Sequence, residues 1–595
     1  VTNDTTTTTS PAGAAVTPMA WASDAIAQLL RDLDLKYAAL VPGSSYRGLH
    51  DSFVNYLGAR DPQMLVCLHE EHSVAIAHGY AKVTGKPMLA VVHANVGLMH
   101  ATMAFFSAWC DRVPIVILGA NGPHDATKRR PWIDWLHTSR DSAAMVRHYT
   151  KWDDEPGSVE AALESITRAH QIATTPPFGP TFVVLDVEMQ ELPLAKPLPM
   201  PQLPRFAAPS PTLPAPADVK RAVEIMRSAK TPLMIVGRMS RDLDAFNKRV
   251  ALAEALGARV ISDFKAGSVF PTAHPLHVDR SAARLTPAGL AAVRGADAIL
   301  SLEAIDLGGV LKQAFGTQPP AATIVNCSID RYIHNGWSMD HQSLPPADLL
   351  FSVVTDQLVD AMLEELGRPA RQTAHLNGNA RGYVSSTNGT AHGEMGMASF
   401  CDGVHDAFAG RDVCFIRLPL GLNEGSPFPF DHPLDFLGGD GGGGVGAGPG
   451  IAVGAALALR GTGRLAVSIL GDGDYLMGLT ALWTAVANDI PLLIIVANNN
   501  CYNNDVQHQD RIARQRDRPV ERKWIGQMIT EPAPDLAMLA RGQGAIGIGR
   551  IDKREDLAAA LAQGIAHLEA GKVCVVDVYV SPDLDERRAA EGRKR

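Results

Sequence analysis

The stretch from Leu465 to Asn500, LAVSILGDGDYLMGLTALWTAVANDIPLLIIVANNN, decides the fold class. An apolar run, Ala466–Leu470, breaks at Gly471-Asp472-Gly473. A helical pattern leads to Pro491, and a second apolar run, Leu492–Ala497, stops at Asn498-Asn499. Short apolar strands separated by helices belong to parallel sheets covered on both faces. Such sheets bind ligands at the carboxyl ends of their strands. Glycines there let backbone N–H groups approach a phosphate. Asp472 and Asn499 offer hard oxygens of the kind Mg²⁺ takes, shared with a phosphorylated ligand and water.

The same alternation continues outward. Buried strands are expected at Ala38–Val41, Leu89–Val92, Ile115–Leu118 and Thr181–Leu185, then at Leu233–Val236, Val260–Ser262, Ala298–Leu302 and Thr323–Asn326. A third group is Asp412–Ile416, Ala466–Leu470, Leu492–Ala497 and Val573–Val578. The proline-dense stretch 192–216 reads as an extended linker, and the polar stretch 368–393 as a second one. The expected class is α/β, with three doubly wound parallel-sheet domains at 19–191, 217–367 and 394–582. A disordered tail is expected at 1–18 and a charged tail at 583–595. Each domain is long enough to bury its own core.

Composition narrows the function. Among 595 residues, 54 Lys and Arg stand against 63 Asp and Glu, for a net charge of -9, which argues against a nucleic-acid partner held through phosphates. The apolar share of 46% argues against a disordered chain. The 7 cysteines form no CxxC pair, so neither a disulfide scaffold nor a zinc site is expected, and a reducing compartment suits them. No apolar run reaches membrane length, and the first residues lack the apolar core of a signal peptide. A soluble cytoplasmic protein with no membrane partner is expected.

GDG followed about 25 residues on by NN resembles the cofactor motif of the thiamine diphosphate enzymes. The resemblance implies that Asp472, Asn499 and the backbone carbonyl of Cys501 hold Mg²⁺ and the cofactor diphosphate, with Gly471, Gly473 and Asp474 around them. The segment HEEHSVAIAHGYAKVTGKP from His69 is similar to the segment that carries the family's catalytic glutamate. By resemblance Glu70 bonds to the aminopyrimidine ring and promotes removal of the thiazolium C2 proton. The glycine run 438–448 lacks the surroundings of a dinucleotide fingerprint, so NAD is discounted. Gly443 and Val445 match its cofactor-contacting positions, Val445 being the apolar residue beneath the cofactor and smaller than is usual there. Asp440 is out of place near a diphosphate unless it is paired or turned away. The domain order is then pyrimidine-binding, central Rossmann-like and diphosphate-binding, the order of the decarboxylase and acetolactate synthase group. FAD in the central block is not supported by any motif.

Within that group several segments look more like the benzoylformate decarboxylases. Val41-Pro42-Gly43-Ser44-Ser45 is similar to the element whose serine faces the substrate, which points to Ser44. Val92-His93-Ala94-Asn95-Val96-Gly97 resembles the strand end that places an active-site histidine, here His93. Acetolactate synthases carry a TSGPG-like segment there and a glutamine after the next strand, where this chain has Gly119-Ala120-Asn121. Leu422-Asn423-Glu424 places Gly425 and Ser426 near the diphosphate. The subgroup's second histidine has no match; His137, His274 and His277 are candidates by region only. Asp505 follows the NN motif where pyruvate-type decarboxylases keep an acid, and the run Asn498–Asn504 is typical of neither subgroup.

The resemblance implies non-oxidative decarboxylation of a 2-oxo acid to CO₂ and an aldehyde, with His93 as proton donor. The alternatives are a carboligase, a diketone or 2-hydroxyacyl lyase, and a non-catalytic homologue. Intact Glu70, Asp472 and Asn499 speak against the last. A homodimer or homotetramer is implied as well.

Overall fold

The computed structural model describes residues 15–281, 284–330, 344–367, 395–419 and 428–582. They divide into two compact units, 1–81 with 86–209, and 82–85 with 210–595. The linker 368–393, the tail 583–595 and residues 1–14 of the expected tail lie outside the described residues. Inside them, the Val16 N–H donates to the Tyr56 carbonyl at 2.8 Å and Ala15 packs on the first core.

The first unit holds one sheet with strands β1 Tyr37–Leu40, β2 Gln63–Val66, β3 Leu89–Val91, β4 Ile115–Asn121, β5 Trp152–Asp154 and β6 Pro180–Asp186. Their order is β2-β1-β3-β4-β6-β5, and every pairing is parallel. β4 and β6 are buried along their whole length, as the apolar runs require. Helix Val159–Ala173 starts at Ser158, whose side chain accepts the Ala161 N–H. Its Ala162, Ile166 and Ala169 fall on one face at helical spacing and are fully buried against this sheet. Leu194, Leu198, Met200 and Leu203, from the proline-dense stretch, pack on the same core.

The second unit holds two sheets. One contains β7 Pro232–Val236, β8 Arg259–Asp263, β9 His277–Ser281, β10 Ala298–Leu302, β11 Thr323–Cys327 and β12 Leu349–Phe351, in the order β12-β11-β10-β7-β8-β9. The other contains β13 Val413–Arg417, β14 Leu465–Gly471, β15 Leu492–Asn498, β16 Ile546–Ile551 and β17 Val573–Tyr579, in the order β13-β14-β15-β17-β16. Phe436 adds a parallel bridge to Phe415 of β13. With that bridge as an outer strand, the last sheet repeats the order of the first. The two domains that carry the candidate cofactor motifs are thus built alike.

The central domain supports the glycine run of the last one. Arg241 donates to the carbonyls of Pro433 at 3.1 Å and Leu437 at 2.7 Å. Gly438 has φ +86, and a Cβ there would lie 2.1 Å from the Lys265 carbonyl oxygen. Only glycine combines that backbone angle with that approach.

Candidate active site

In the first sheet the strand order reverses between β1 and β3, so their carboxyl ends flank a crevice of the kind that binds ligands. β1 runs out into Gly43, Ser44 and Ser45, and β3 into His93. The adjacent β2 leads to Glu70, the first residue of helix Glu70–Thr84. Three segments distant in sequence therefore converge, and each carries an expected site residue.

His93 lies on the backbone of Gly43: a Cβ on that glycine would come within 2.5 Å of the imidazole ring. The next residue, Ala94, has φ +41, a left-handed conformation that costs an L-residue energy and marks a tightly held turn. His93 Nδ1 is 2.8 Å from Ser45 Oγ, and that oxygen accepts the Ala94 N–H at 3.2 Å. A neutral ring that accepts the Ser45 proton at Nδ1 keeps its own proton on Nε2. Burial first, and His137 next, hold His93 below the ordinary histidine range. The His137 ring stands edge-on to it, with centroids 4.9 Å apart. Of the three histidines placed by region, His137 is thus the one beside His93.

Glu70 is 8% exposed. Its Oε2 is 3.0 Å from His100 Nδ1, and His100 stacks on His69 with centroids 4.9 Å apart. Gly97 permits this arrangement, since a Cβ there would lie 3.1 Å from Glu70 Oε1. Ser44 is not the serine bonded to His93. Its hydroxyl accepts from Arg130 Nη2 at 3.2 Å, and the guanidinium is gripped at 2.7 Å by the buried Asp134. Ser45, Arg130, Asp134 and His100 were not anticipated. The only local signal among them was the i, i+4 spacing of Arg130 and Asp134.

A second candidate cluster lies at the end of β14. Asp472 opens helix Asp472–Gly478, and its Oδ1 accepts the Gly473 N–H at 2.9 Å. Burial pushes its carboxyl up to about 6, against the pull of the N–H groups of Gly473, Cys501 and Asn500. These contacts bring Asp472 beside the turn that follows β15. Its Oδ2 is buried with no hydrogen-bond partner. A buried carboxylate oxygen without a partner is what a cation would satisfy, so the residues suit Mg²⁺. Asn499 Oδ1 accepts the Cys501 N–H at 3.1 Å, so the proposed ligands Asp472, Asn499 and the Cys501 carbonyl form one cluster. Asn498 braces this turn, its amide donating to Asp577 at 2.9 Å and its Oδ1 accepting the Asn500 N–H at 3.0 Å. Among the described residues no group of three or more His, Cys, Asp or Glu gathers for a metal.

Val445 is an apolar side chain 49% exposed within the glycine run. Gly443, with φ +63, lies two residues before it. Asp440 is paired, its carboxylate 3.2 Å from Arg417, which removes the objection to its place near a diphosphate. Asp474, expected around the cofactor, has its carboxylate committed to the protein: Oδ1 accepts the N–H groups of Gly446 at 2.7 Å and Gly448 at 3.3 Å.

The remaining candidates fall elsewhere. His277 starts β9, at the amino end of its sheet, and bonds to Ser262 Oγ at 2.9 Å. His274 faces Glu254 at 3.3 Å. Both have partners inside the central domain, at the end opposite to where such sheets bind ligands. Asp505 is exposed in the first turn of helix Asn503–Gln515. Gly425 and Ser426 lie outside the described residues. All seven cysteines are buried and in no disulfide, and among the described residues no helix is long and apolar enough to cross a membrane.

Two sheets of like strand order that carry the candidate motifs, with a third α/β domain between them in sequence, define the class. Three models of the thiamine pyrophosphate enzymes match in series: the N-terminal TPP binding domain at 20–145, the central domain at 219–332 and the C-terminal TPP binding domain at 424–578. The chain belongs to this family and is a thiamine diphosphate-dependent enzyme of the decarboxylase and acetolactate synthase group. It is 23% identical over 534 residues to benzoylformate decarboxylase of Pseudomonas aeruginosa, covering 85% of this chain and 90% of that protein. It is 22% identical over 585 residues to the acetolactate synthase large subunit of Haemophilus influenzae, covering 94% of each. Its fold matches the crystal structure of benzoylformate decarboxylase from Polynucleobacter necessarius with a TM-score of 0.75, at 19% identity over 95% of this chain and 99% of that one. The 4-hydroxybenzoylformate decarboxylase of Rhodococcus jostii matches with a TM-score of 0.74, at 21% identity over 94% of this chain and 99% of the other.

Proposed function

We propose that the protein is a Mg²⁺-dependent decarboxylase of a 2-oxo acid, releasing CO₂ and an aldehyde. The observation that carries this reading is His93, locked at the end of β3 by Gly43 and Ser45 with His137 beside it. An acetolactate synthase would carry a TSGPG-like segment there. Benzoylformate decarboxylase among the relatives supports the same reading.

Thiamine diphosphate supplies the nucleophilic carbon and the electron sink for the departing carboxylate. The residues of this chain do the rest. Asp472, Asn499 and the Cys501 carbonyl hold Mg²⁺, while Gly471 and Gly473 leave room for the diphosphate. Val445 supports the cofactor from beneath. Glu70 holds a proton against the aminopyrimidine ring, with His100 fixing its carboxyl. Ser44, oriented by Arg130, binds the substrate carboxylate. His93, when protonated on both ring nitrogens, would give its Nε2 proton to the carbon that CO₂ leaves and end as the neutral ring bonded to Ser45. A homodimer or homotetramer in a reducing, cytoplasmic setting completes the proposal.

Carboligation is the second reading, favoured by the full-length match to an acetolactate synthase. Purified protein with thiamine diphosphate, Mg²⁺ and a panel of 2-oxo acids should evolve CO₂ and one equivalent of aldehyde. Condensation of two carbonyl compounds without free aldehyde would replace the decarboxylase reading with the carboligase.

A further inference from the structure

The glycine run of the diphosphate-binding domain faces a physical difficulty. Gly438, Gly443 and Gly446 all have positive φ, at +86, +63 and +108, so the segment is rich in residues that give up the most backbone freedom on ordering. Yet Val445, near its end, has to stand at a fixed height to support a cofactor. Something must fasten both feet of the loop.

One guanidinium touches both. Arg417, the last residue of β13, lies 3.2 Å from Asp440 Oδ1 at the start of the run and 3.3 Å from Asp474 Oδ2. Asp474 holds the other foot, because its Oδ1 accepts the N–H groups of Gly446 and Gly448. Those amides begin helix Ala447–Leu459, so the carboxylate also caps that helix from outside and faces its positive end. The packing is close: a Cβ on Gly448 would lie 2.4 Å from Asp474 Oδ2, and a Cβ on Gly446 would lie 2.9 Å from Met477 Cβ. The side chains of Asp440 and Asp474 are only 7% and 10% exposed, so the pairs are shielded from solvent and salt.

We propose that Asp440, Arg417 and Asp474 form a clasp that closes the glycine run into a loop of fixed height and so positions Val445 for the cofactor. All three are positioning residues that act through Val445. The inference rests on Val445 as the residue beneath the cofactor, and it deepens the reading of that site without depending on which 2-oxo acid is used.

Asp440→Asn opens one foot and leaves the Arg417–Asp474 pair intact, so it is the variant most certain to fold. Calorimetry with Mg²⁺ should show thiamine diphosphate binding weakened by about tenfold or more, as expected for a lost buried pair. Amide exchange in the cofactor-free protein should speed up across 440–448 while the melting temperature moves by only about two or three degrees. Arg417→Gln should weaken binding further, and Arg417→Lys, which keeps the charge but not the fork, should recover part of it. Affinity unchanged within about twofold in Asp440→Asn would overturn the clasp. So would a general loss of melting temperature in Arg417→Gln with no local change in exchange. A wild-type protein that binds thiamine diphosphate but decarboxylates no 2-oxo acid would defeat the proposed reaction and leave the clasp standing. A wild-type protein that does not bind the cofactor would defeat both.

Discussion

Glu70 Oε2 and His100 Nδ1 are 3.0 Å apart, across the gap between helices Glu70–Thr84 and Ala94–Asp111. The glutamate is the buried partner and the histidine the exposed one, at 11% and 58% of their side-chain surface. The Glu70 carboxyl, proposed to meet the aminopyrimidine, is therefore held by a residue that solvent can reach. Replacing Glu70 by Gln should slow C2 proton exchange by about 10²–10⁴-fold, the usual range for a positioned acid or base. Replacing His100 by Gln should slow it by about tenfold at most, because an exposed partner contributes little. Exchange measured by hydrogen–deuterium NMR separates the two. A Glu70→Gln protein exchanging at the normal rate would remove Glu70 from the mechanism.

Gly43 and His93 make the second test. With 2.5 Å between a Cβ at position 43 and the imidazole, Gly43→Ala must push the ring off its bond to Ser45. Overpacking of this kind costs about 1–3 kcal/mol. The expected outcome is a lower kcat with KM for the 2-oxo acid and cofactor affinity little changed, since the ring is displaced and the Asp472 cluster is untouched. A kcat equal to wild type would show that His93 has no part in the chemistry.

Burial and His137 hold the His93 imidazole below its ordinary value of 6.5, so the charged form is disfavoured in the folded protein. The neutral ring persists as pH falls below 6.5, and it is lost only as pH passes the depressed folded value. The charged ring is the acid that returns to neutral on giving up its proton, so a step that needs this donor should gain as pH falls, and the limb it sets in kcat should lie below pH 6.5. His93→Gln should abolish that acid limb along with most of the rate. A limb of unchanged position in His93→Gln would assign it to another group.

The local motifs and the central strands were legible in the sequence; the contacts among distant residues were not. β4, β6 and β15 are buried at every position and read as unbroken apolar runs. β5, Trp-Asp-Asp, lies at a sheet edge and is half-buried throughout, so it carries no such run. β2, β9, β12 and β16, equally absent from the expectation, are edge strands too. Apolar periodicity reports burial, and an edge strand is only partly buried. The site divides the same way. GDG, NN and the Glu70 segment are contiguous words that a strand end spells out. Ser45 on His93, Arg130 on Ser44 and Arg417 on Asp474 depend on which strands become neighbours, which no local pattern specifies.

Removing Mg²⁺ tests the proposed Asp472 site. Asp472 Oδ2 is the buried oxygen without a partner, and Asn499 and Cys501 are joined to it through one turn. Asp472→Asn keeps the shape and removes the charge, so Mg²⁺-dependent cofactor retention should fall by about 10²-fold, a loss typical of a charged ligand on a divalent cation. Chelation followed by gel filtration should strip thiamine diphosphate from the wild type, with Mg²⁺ restoring it. Cofactor that stays bound after chelation in both proteins would show that the diphosphate is held without metal.

Asp577 offers a prediction about stability. It lies on β17 at 1% exposure, its Oδ1 accepting from the Asn498 amide. Burial pushes its carboxyl from 3.8 up to about 6. An acid whose folded value is raised binds more protons folded than unfolded in that interval. Stability therefore falls as pH rises from 3.8 to about 6, and the penalty is fully present above it. The shift corresponds to a penalty on the order of 3 kcal/mol. Asp577→Asn still accepts the Asn498 amide through its carbonyl oxygen and carries no charge. It should melt several degrees higher than wild type at about pH 8, with the gap closing near pH 4. The brace on the Asn498–Cys501 turn survives in this variant, so its thiamine diphosphate affinity should match that of wild type. A gap of the same size at both pH values would mean that packing, and not the buried charge, separates the two proteins.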